Sequence, residues 1–378
     1  MHPIVDHLQA PHIPCDRPQE FNFSQTETVD MPSAPPVGVV IANYNNGAFV
    51  GRALESVTRQ SCRNLRTIVV DDASTDNSDA EIRNCLSRLN DSRFSYIRLD
   101  TNVGQTGAIK RGLAELDTPF VAFLDSDDAW YENFIERHLC AHMNADFPVA
   151  LTYCDSHIID ADDHLLAGTA WWFEHNTANN AFETAVVPKI DAATGEFSFP
   201  SNGRLTFHPH WTALSATNSM ASMMFRRSFV DLVLVLPDSD LRLYLDYYLS
   251  TFAGLLTGSV ALHDALYAYR MHGSNKHSNA TVMGGTYNSS TKDWAPIRDH
   301  ILRLVLRILD EEAPSIRAAF GDWRHANSKA LVKRALDAGS TSGKGAWIRF
   351  LDSLSIKART LLGGGRPGLP GRQWNHER

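Results

Sequence analysis

Val37-Gly38-Val39-Val40-Ile41-Ala42 is an unbroken apolar run rich in β-branched residues, and Asn43-Tyr44-Asn45-Asn46-Gly47 ends it with turn formers. A short run without polar alternation is the pattern of a strand covered on both faces. The same unit recurs further along the chain. Phe49, Val50, Ala53, Leu54 and Val57 follow at helical spacing, and Leu65 to Val70 forms a second apolar run that stops at Asp71-Asp72. Helical spacing resumes near Asn77 with Ile82, Cys85, Leu86 and Leu89. Phe94 to Leu99 predicts a third strand, Gly104 to Leu116 a third helix, and Pro119 to Leu124 a fourth strand stopping at Asp125. A helix over Tyr131–Met143 and a strand over Val149–Tyr153 complete the series. Strands alternating with helices predict an α/β fold with right-handed crossovers and a mostly parallel sheet flanked by helices.

In such a sheet ligands bind beyond the carboxyl ends of the strands. The polar clusters Asn43–Gly47, Asp71–Asp76, Asn102–Gly104 and Asp125–Asp128 each follow a predicted strand, so they are expected to converge on one face.

Outside this series the texture changes. Residues 1–36 show no period and end in Pro-Ser-Ala-Pro-Pro, which predicts a flexible tail. From about 156 to 215 the pattern is irregular, as in a substrate loop or lid. Ser219–Val230 and Leu241–Phe252 predict helices, and Ser259–Leu262 and Leu266–Tyr269 two short strands. Beyond about 286, Ile297, Ile301, Leu304, Val305 and Ile308 share one helical face, giving a C-terminal helical extension over 286–378. Its last 40 residues hold seven Lys or Arg against two Asp or Glu, about +5.

The chain has 378 residues, 43% hydrophobic and 21% charged, enough apolar side chain for a large core. Its net charge of −8 argues against a nucleic-acid partner, which calls for a basic footprint. No apolar stretch is long enough to span a bilayer, and Met1-His2-Pro3-Ile4-Val5-Asp6 lacks the basic and apolar regions of a secretory signal. Cys15, Cys62, Cys85, Cys140 and Cys154 are scattered without a C-x-x-C pair, which predicts reduced thiols in a reducing, cytoplasmic compartment.

Leu124-Asp125-Ser126-Asp127-Asp128 is the sharpest chemical feature. Three carboxylates in four residues after a buried strand repel one another unless solvated or bridged by a cation, and Mg²⁺ or Mn²⁺ suits such oxygen donors together with substrate phosphates. In Val70-Asp71-Asp72-Ala73-Ser74-Thr75-Asp76, a strand-end Asp can accept hydrogen bonds from a base or ribose, while Asp76 or Asn77 can cap the next helix.

Taken together, Val40-Ile41-Ala42-Asn43-Tyr44-Asn45, Val70 to Asp76, Asn102-Val103-Gly104 and Leu124 to Asp128 resemble the family 2 glycosyltransferases over roughly 37–155, and more weakly to about 278. The resemblance implies a GT-A fold with a Rossmann-like nucleotide-sugar-binding half (37–155) and an acceptor half (156–285), inverting chemistry and a Mn²⁺ or Mg²⁺ cofactor. It implies that Ala42, Tyr44, Asp72, Asn102, Gly104, Asp125, Asp127 and Arg270 contact the donor, with Tyr44 stacking on the base and Asp72 bonding it. Asp127, Asp128 and His272 are implied as metal ligands, with the division among Asp125, Asp127 and Asp128 left open.

Leu241 to Leu249 resembles the segment where the family carries a Glu-Asp pair; here Leu245 replaces the Glu and Asp246 is kept. The resemblance makes Asp246 the general base that takes the acceptor's hydroxyl proton. Tyr269-Arg270-Met271-His272 is similar to the family's Y-R-x-H segment, where Arg and His approach the diphosphate or metal. Lys110 stands near the place of the family's Arg-Asn and could face the diphosphate or solvent.

The implied partners are a UDP-sugar donor and a glycan or lipid-linked acceptor in cell-surface polysaccharide or glycolipid synthesis. The basic C-terminal region offers a peripheral contact with the inner face of a membrane. Trp171-Trp172 could stack on sugar or pack in a core, and His208-Pro209-His210-Trp211 lacks a partner set for a metal. The rival readings are a glycoside hydrolase and a non-catalytic nucleotide-sugar-binding scaffold of the same fold. A dinucleotide dehydrogenase is disfavoured, because no G-x-G-x-x-G follows the first strand.

Overall fold

The computed structural model describes residues 34–145, 148–168, 189–190, 197–198, 203, 205–209, 211, 219–272, 275 and 294–341. The first half follows the expected alternation: β1 (Val37–Asn43), α1 (Val50–Thr58), β2 (Leu65–Asp71), α2 (Ser78–Leu89), β3 (Phe94–Arg98), α3 (Gly104–Ala114) and β4 (Phe120–Asp125). Next come β5 (Ala129–Trp130), α4 (Phe134–Asn144), β6 (Leu151–Ile159), β7 (Leu165–Ala167), and the small ladder of β8 (Lys189–Ile190) with β9 (Phe197–Ser198). The second half holds β10 (Leu205–His208), a 3₁₀ turn (Met220–Ser222), β11 (Met223–Arg226), α5 (Arg227–Val233), α6 (Leu245–Leu256) and β12 (Ser259–Arg270). Helices α7 (Trp294–Glu311), α8 (Ala313–Phe320) and α9 (Asp322–Thr341) close the described chain.

The main sheet runs β10-β12-β6-β11-β4-β1-β2-β3, with β5 beside β12 and β7 beside β6. Strands β3, β2, β1 and β4 are mutually parallel, as are β6 and β12. Strand β11 runs antiparallel between β4 and β6, joining the two parallel blocks. The mostly parallel α/β sheet with a helical C-terminal region is the architecture expected from the sequence.

Alternation along the strands builds two cores. Val39, Ile41 and Val69 pack with Leu54 of α1, Ile82 of α2 and Phe134 of α4. Val40, Ile68 and Val70 pack on the other face with Ile109 of α3, Leu249 of α6 and Val305 of α7. Each such side chain, fully buried, contributes about 1.5–3 kcal/mol of transfer free energy. Helix α3 lies so close to β1 that a Cβ on Gly112 would sit 2.4 Å from Val40. The face shared by Ile301, Leu304, Val305 and Ile308 is buried in that second core, so the protein itself covers it. No helix among the described residues is long and apolar enough to cross a membrane.

Three expectations are corrected. The first part of Ser219–Val230 is the 3₁₀ turn and strand β11, and only its end is helix. Met223-Met224-Phe225 is a short apolar run that periodicity alone does not assign, and the gap between β4 and β6 makes it a strand. The two short strands at 259–269 are one strand, β12, with irregular register near Ala265. The polar pair that interrupts the pattern is held inside the fold: Asp264 meets Arg137 at 2.6 Å, and His263 Nε2 lies 2.7 Å from Thr206 Oγ1. The strand expected at Val149–Tyr153 runs on to Ile159, because Asp155, Ser156 and His157 are buried although polar.

Cys85 and Cys154 are buried, Cys62 is half-buried and Cys140 is exposed, all four as free thiols. Residues 1–33, Cys15 among them, the Trp171-Trp172 pair, His210 and the tail beyond 341 lie outside the described residues.

Candidate active site

The strand ends dictate the site. Strands β1, β2 and β4 stop in register, Asn43 beside Asp71 and Ala42 beside Asp125, so their polar loops emerge together. They open on a cavity of about 600 Å³, which Ala42, Tyr44, Asp72, Asn102, Gly104, Asp125, Asp127 and Asp128 line with Asp246, Tyr269 and His272. Every site residue expected from the sequence lines this cavity except Arg270.

At one end the carboxylates already have hydrogen-bond donors. Asn43 Nδ2 donates to Asp71 Oδ1 at 2.8 Å, and the Ser74 N–H donates to Asp71 Oδ2 at 3.2 Å. Asp72 accepts the Val103 N–H at 2.7 Å and the Gly104 N–H at 2.8 Å, one on each oxygen, while Asn102 Nδ2 donates to the Asp72 carbonyl at 3.1 Å. Asp72 therefore anchors the Asn102–Gly104 loop as well as facing the cavity. Gly104 has φ +83 and lies against Arg242, whose backbone would stand 2.9 Å from an added Cβ. Tyr44 stays 41% exposed, leaving its ring available to a flat ligand. Asp76 ties two loops, accepting the Gly47 N–H at 3.0 Å and the Ser78 N–H at 3.0 Å, while the N-cap position of α2 falls to Asn77, whose side chain makes no capping bond.

At the other end carboxylates crowd. Gln105 donates to Asp125 Oδ1 at 2.9 Å, yet burial, with the charges of Asp127 and Asp246, pushes the Asp125 carboxyl up to about 7. Burial and the charges of Asp127 and Asp125 hold Asp128 well above the usual carboxylate range, although the Arg270 N–H donates to its Oδ1 at 2.9 Å. Asp246 stands in the first turn of α6, accepts the Tyr247 N–H at 2.8 Å, and is pushed up to about 6 by burial. Its neighbour Leu245, at the place of the family's Glu, is fully buried in the core.

His272 Nε2 lies 3.1 Å from Asp127 Oδ2. An imidazole nitrogen and a carboxylate oxygen side by side, among further carboxylates short of countercharge, fit a hard or borderline divalent cation. Among the described residues, three carboxylate or imidazole ligand atoms within 4.8 Å of one another occur at Asp160, Asp162 and His164, on an exposed turn. Within the cavity, Asp127 and His272 are the pair that could hold such an ion.

The expected donor contact Arg270 and the alternative offered by Lys110 are not brought to the cavity. The Arg270 guanidinium is 1% exposed and committed to protein: Nε donates to the Asp127 carbonyl, one terminal nitrogen to the Asp160 carbonyl, and the other pairs with Asp163 at 2.6 Å. Lys110 Nζ pairs with Asp238 at 2.5 Å and donates to the Leu236 carbonyl. Trp211 is a core residue, and His208 Nδ1 and Nε2 belong to a ring facing Tyr153 at 6.2 Å. Sequence reasoning missed Gln105, Ser219, Arg242 and Tyr244, all of which line the cavity. Their signal is spatial: Tyr244 adopts φ +69 just before α6, which no local composition announces.

Residues 38–163 match the profile of glycosyl transferase family 2, so the chain carries a family 2 glycosyltransferase domain there. It is 27% identical over 249 residues to an uncharacterized glycosyltransferase of Nostoc sp., covering 65% of this chain and 67% of that protein. It is 30% identical over 103 residues to the UDP-Glc:alpha-D-GlcNAc-diphosphoundecaprenol beta-1,3-glucosyltransferase WfgD of Escherichia coli, covering 27% of this chain but only 39% of that enzyme. Among solved structures, S. aureus TarS 1-349 aligns at a TM-score of 0.44 with 14% identity, covering 80% of this chain and 92% of that one.

Proposed function

We propose that this chain transfers a sugar from a nucleotide-diphosphate sugar, a UDP-sugar, to a hydroxyl acceptor with inversion, in the synthesis of a cell-surface polysaccharide or glycolipid. The observation that carries the reading is the cavity itself: Tyr44 and Asp72 at one end, and Asp127, His272 and Asp246 at the other. The name of the E. coli relative, a UDP-Glc-dependent enzyme acting on a diphosphoundecaprenol-linked sugar, supports the donor and the acceptor class.

Tyr44 offers its exposed ring to the base, and Asn102 and Asp72 border the same end. Asp127 and His272 are the residues that would hold a Mn²⁺ or Mg²⁺ ion, with Asp125 or Asp128 adding charge. When bound, such an ion neutralises charge developing on the departing diphosphate. Asp246 takes the proton from the acceptor hydroxyl as the new bond forms. Its carboxyl, pushed up to about 6, is ionised at neutral pH yet more basic than an exposed Asp. The acceptor attacks the anomeric carbon opposite the leaving group, so the configuration inverts and no glycosyl-enzyme forms. Leu245 sits in the core and Asp246 in the cavity, which favours this over a scaffold lacking a base.

The test is turnover of the purified chain with α-linked UDP-sugars, Mn²⁺ and simple hydroxyl acceptors, with the product anomer read by NMR. A β-linked product is expected; retention of the α configuration would refute the displacement.

A further inference from the structure

We infer that Arg270 is a positioning residue, which holds the cation-binding side of the cavity from behind and does not touch the donor's diphosphate. The inference rests on the donor and cation reading above. Arg270 ends β12 and stands behind the acidic loop. Its backbone N–H donates to Asp128 Oδ1 and its Nε to the Asp127 carbonyl, each at 2.9 Å. A terminal nitrogen donates to the Asp160 carbonyl at 3.0 Å, and its partner nitrogen meets Asp163 Oδ1 at 2.6 Å, on the turn between β6 and β7. One residue thus pins the acidic loop to a turn outside the cavity.

The main chain of Arg270 also orders the backbone at His272. Asn275 Nδ2 donates to the Arg270 carbonyl at 2.7 Å while Asn275 Oδ1 accepts the His272 N–H at 2.8 Å. The Phe49 ring meets both side chains, its centroid 5.2 Å from the guanidinium carbon and 4.6 Å from the His272 ring. The Arg270 side chain therefore holds the Asp127 main chain and shares the Phe49 ring with His272, whose Nε2 stands 3.1 Å from Asp127 Oδ2.

A planar fork with five donors can serve several fixed acceptors at once, which an ammonium cannot. A guanidinium only 1% exposed also needs its countercharge, and Asp163 supplies it. Contact with a diphosphate would require breaking that pair and the carbonyl bonds together. Groups that orient metal ligands in this way typically change metal affinity 10- to 100-fold when removed.

Asp163 is the handle that separates the two roles, because it lies outside the cavity and its side chain is 35% exposed. The experiment compares the full chain with Asp163→Ala and Arg270→Ala. Free Mn²⁺ is read by electron paramagnetic resonance with UDP present, UDP affinity in EDTA by calorimetry, and folding by circular dichroism. We expect both variants to bind Mn²⁺ about 10-fold or more weakly, with metal-free UDP affinity unchanged. An Asp163→Ala chain that holds Mn²⁺ as tightly as the unsubstituted protein overturns the inference, whether or not Arg270→Ala folds. So does an Arg270→Ala chain that loses metal-free UDP affinity while Asp163→Ala keeps it. An unsubstituted chain that binds no Mn²⁺ with UDP defeats the donor reading beneath and the inference with it.

Discussion

The two ends of the cavity differ in how far their polar groups are satisfied. Around Asp71 and Asp72 the carboxylate oxygens accept bonds from Asn43, Ser74, Val103 and Gly104, so that end is assembled before any ligand arrives. Around Asp125, Asp128 and Asp246 burial raises each carboxyl, and repulsion from neighbouring carboxylates adds to it at Asp125 and Asp128, so that end is short of positive charge. A preformed recognition end costs little reorganisation on binding. A carboxylate cluster short of countercharge is suited to hold a cation and a proton acceptor. The contrast separates binding from chemistry, and substitutions at the two ends should separate them in the same way.

The largest effect is expected at Asp246. Asp246→Asn should lower kcat by about 10²- to 10⁴-fold, the usual range for a general base, while UDP-sugar affinity is retained. The pH profile should agree with it: kcat/KM climbs as pH rises toward about 6 and levels above, because the base works only when deprotonated. A profile flat from pH 4.5 to 8 would break the assignment.

A smaller effect is expected at the assembled end. Tyr44→Ala should weaken UDP binding by about 1–3 kcal/mol, the range for loss of base stacking, with kcat at saturation preserved. Calorimetry with UDP and with free ribose 5-phosphate would show whether the loss needs the base.

The smallest effect is on stability, and the two kinds of site should respond in opposite directions. Asp125 has a folded pKa of about 7 against an ordinary 3.8, so its contribution is present below 3.8 and is lost as pH rises through 7. Asp125→Asn should therefore raise Tm at pH 8 by about 2–4 °C, with activity lost. Burial lowers His142 and His157 from 6.5 to about 4, so their contribution is present above 6.5 and is lost as pH falls through 4. Thermal melts across pH, with and without Mn²⁺, should show the alkaline loss shrinking when the cation is added and the acid loss unchanged.

The parallel half was legible in the sequence because its strands are buried on both faces and stop at polar turns. Val37–Ala42, Leu65–Val70 and Pro119–Leu124 say both where a strand lies and where its ligand end is. The second half hides the same information. Strand β6 carries Asp155 and His157 inward, β12 contains His263-Asp264, and β11 is too short for any period to emerge. Their places are set by partners far along the chain, such as Arg137 for Asp264 and Tyr131 for His157. Arg270 makes the point for the site: its residue type suits a phosphate, and its destination is decided by Asp163, a turn away in another strand pair.

The most direct measurement is a calorimetric titration of the purified chain with UDP- and GDP-sugars in Mn²⁺ and again in EDTA. The account predicts one-site binding of a nucleotide sugar in Mn²⁺, weakened when the metal is withheld. The absence of binding for every UDP- and GDP-sugar in the presence of Mn²⁺ would contradict it.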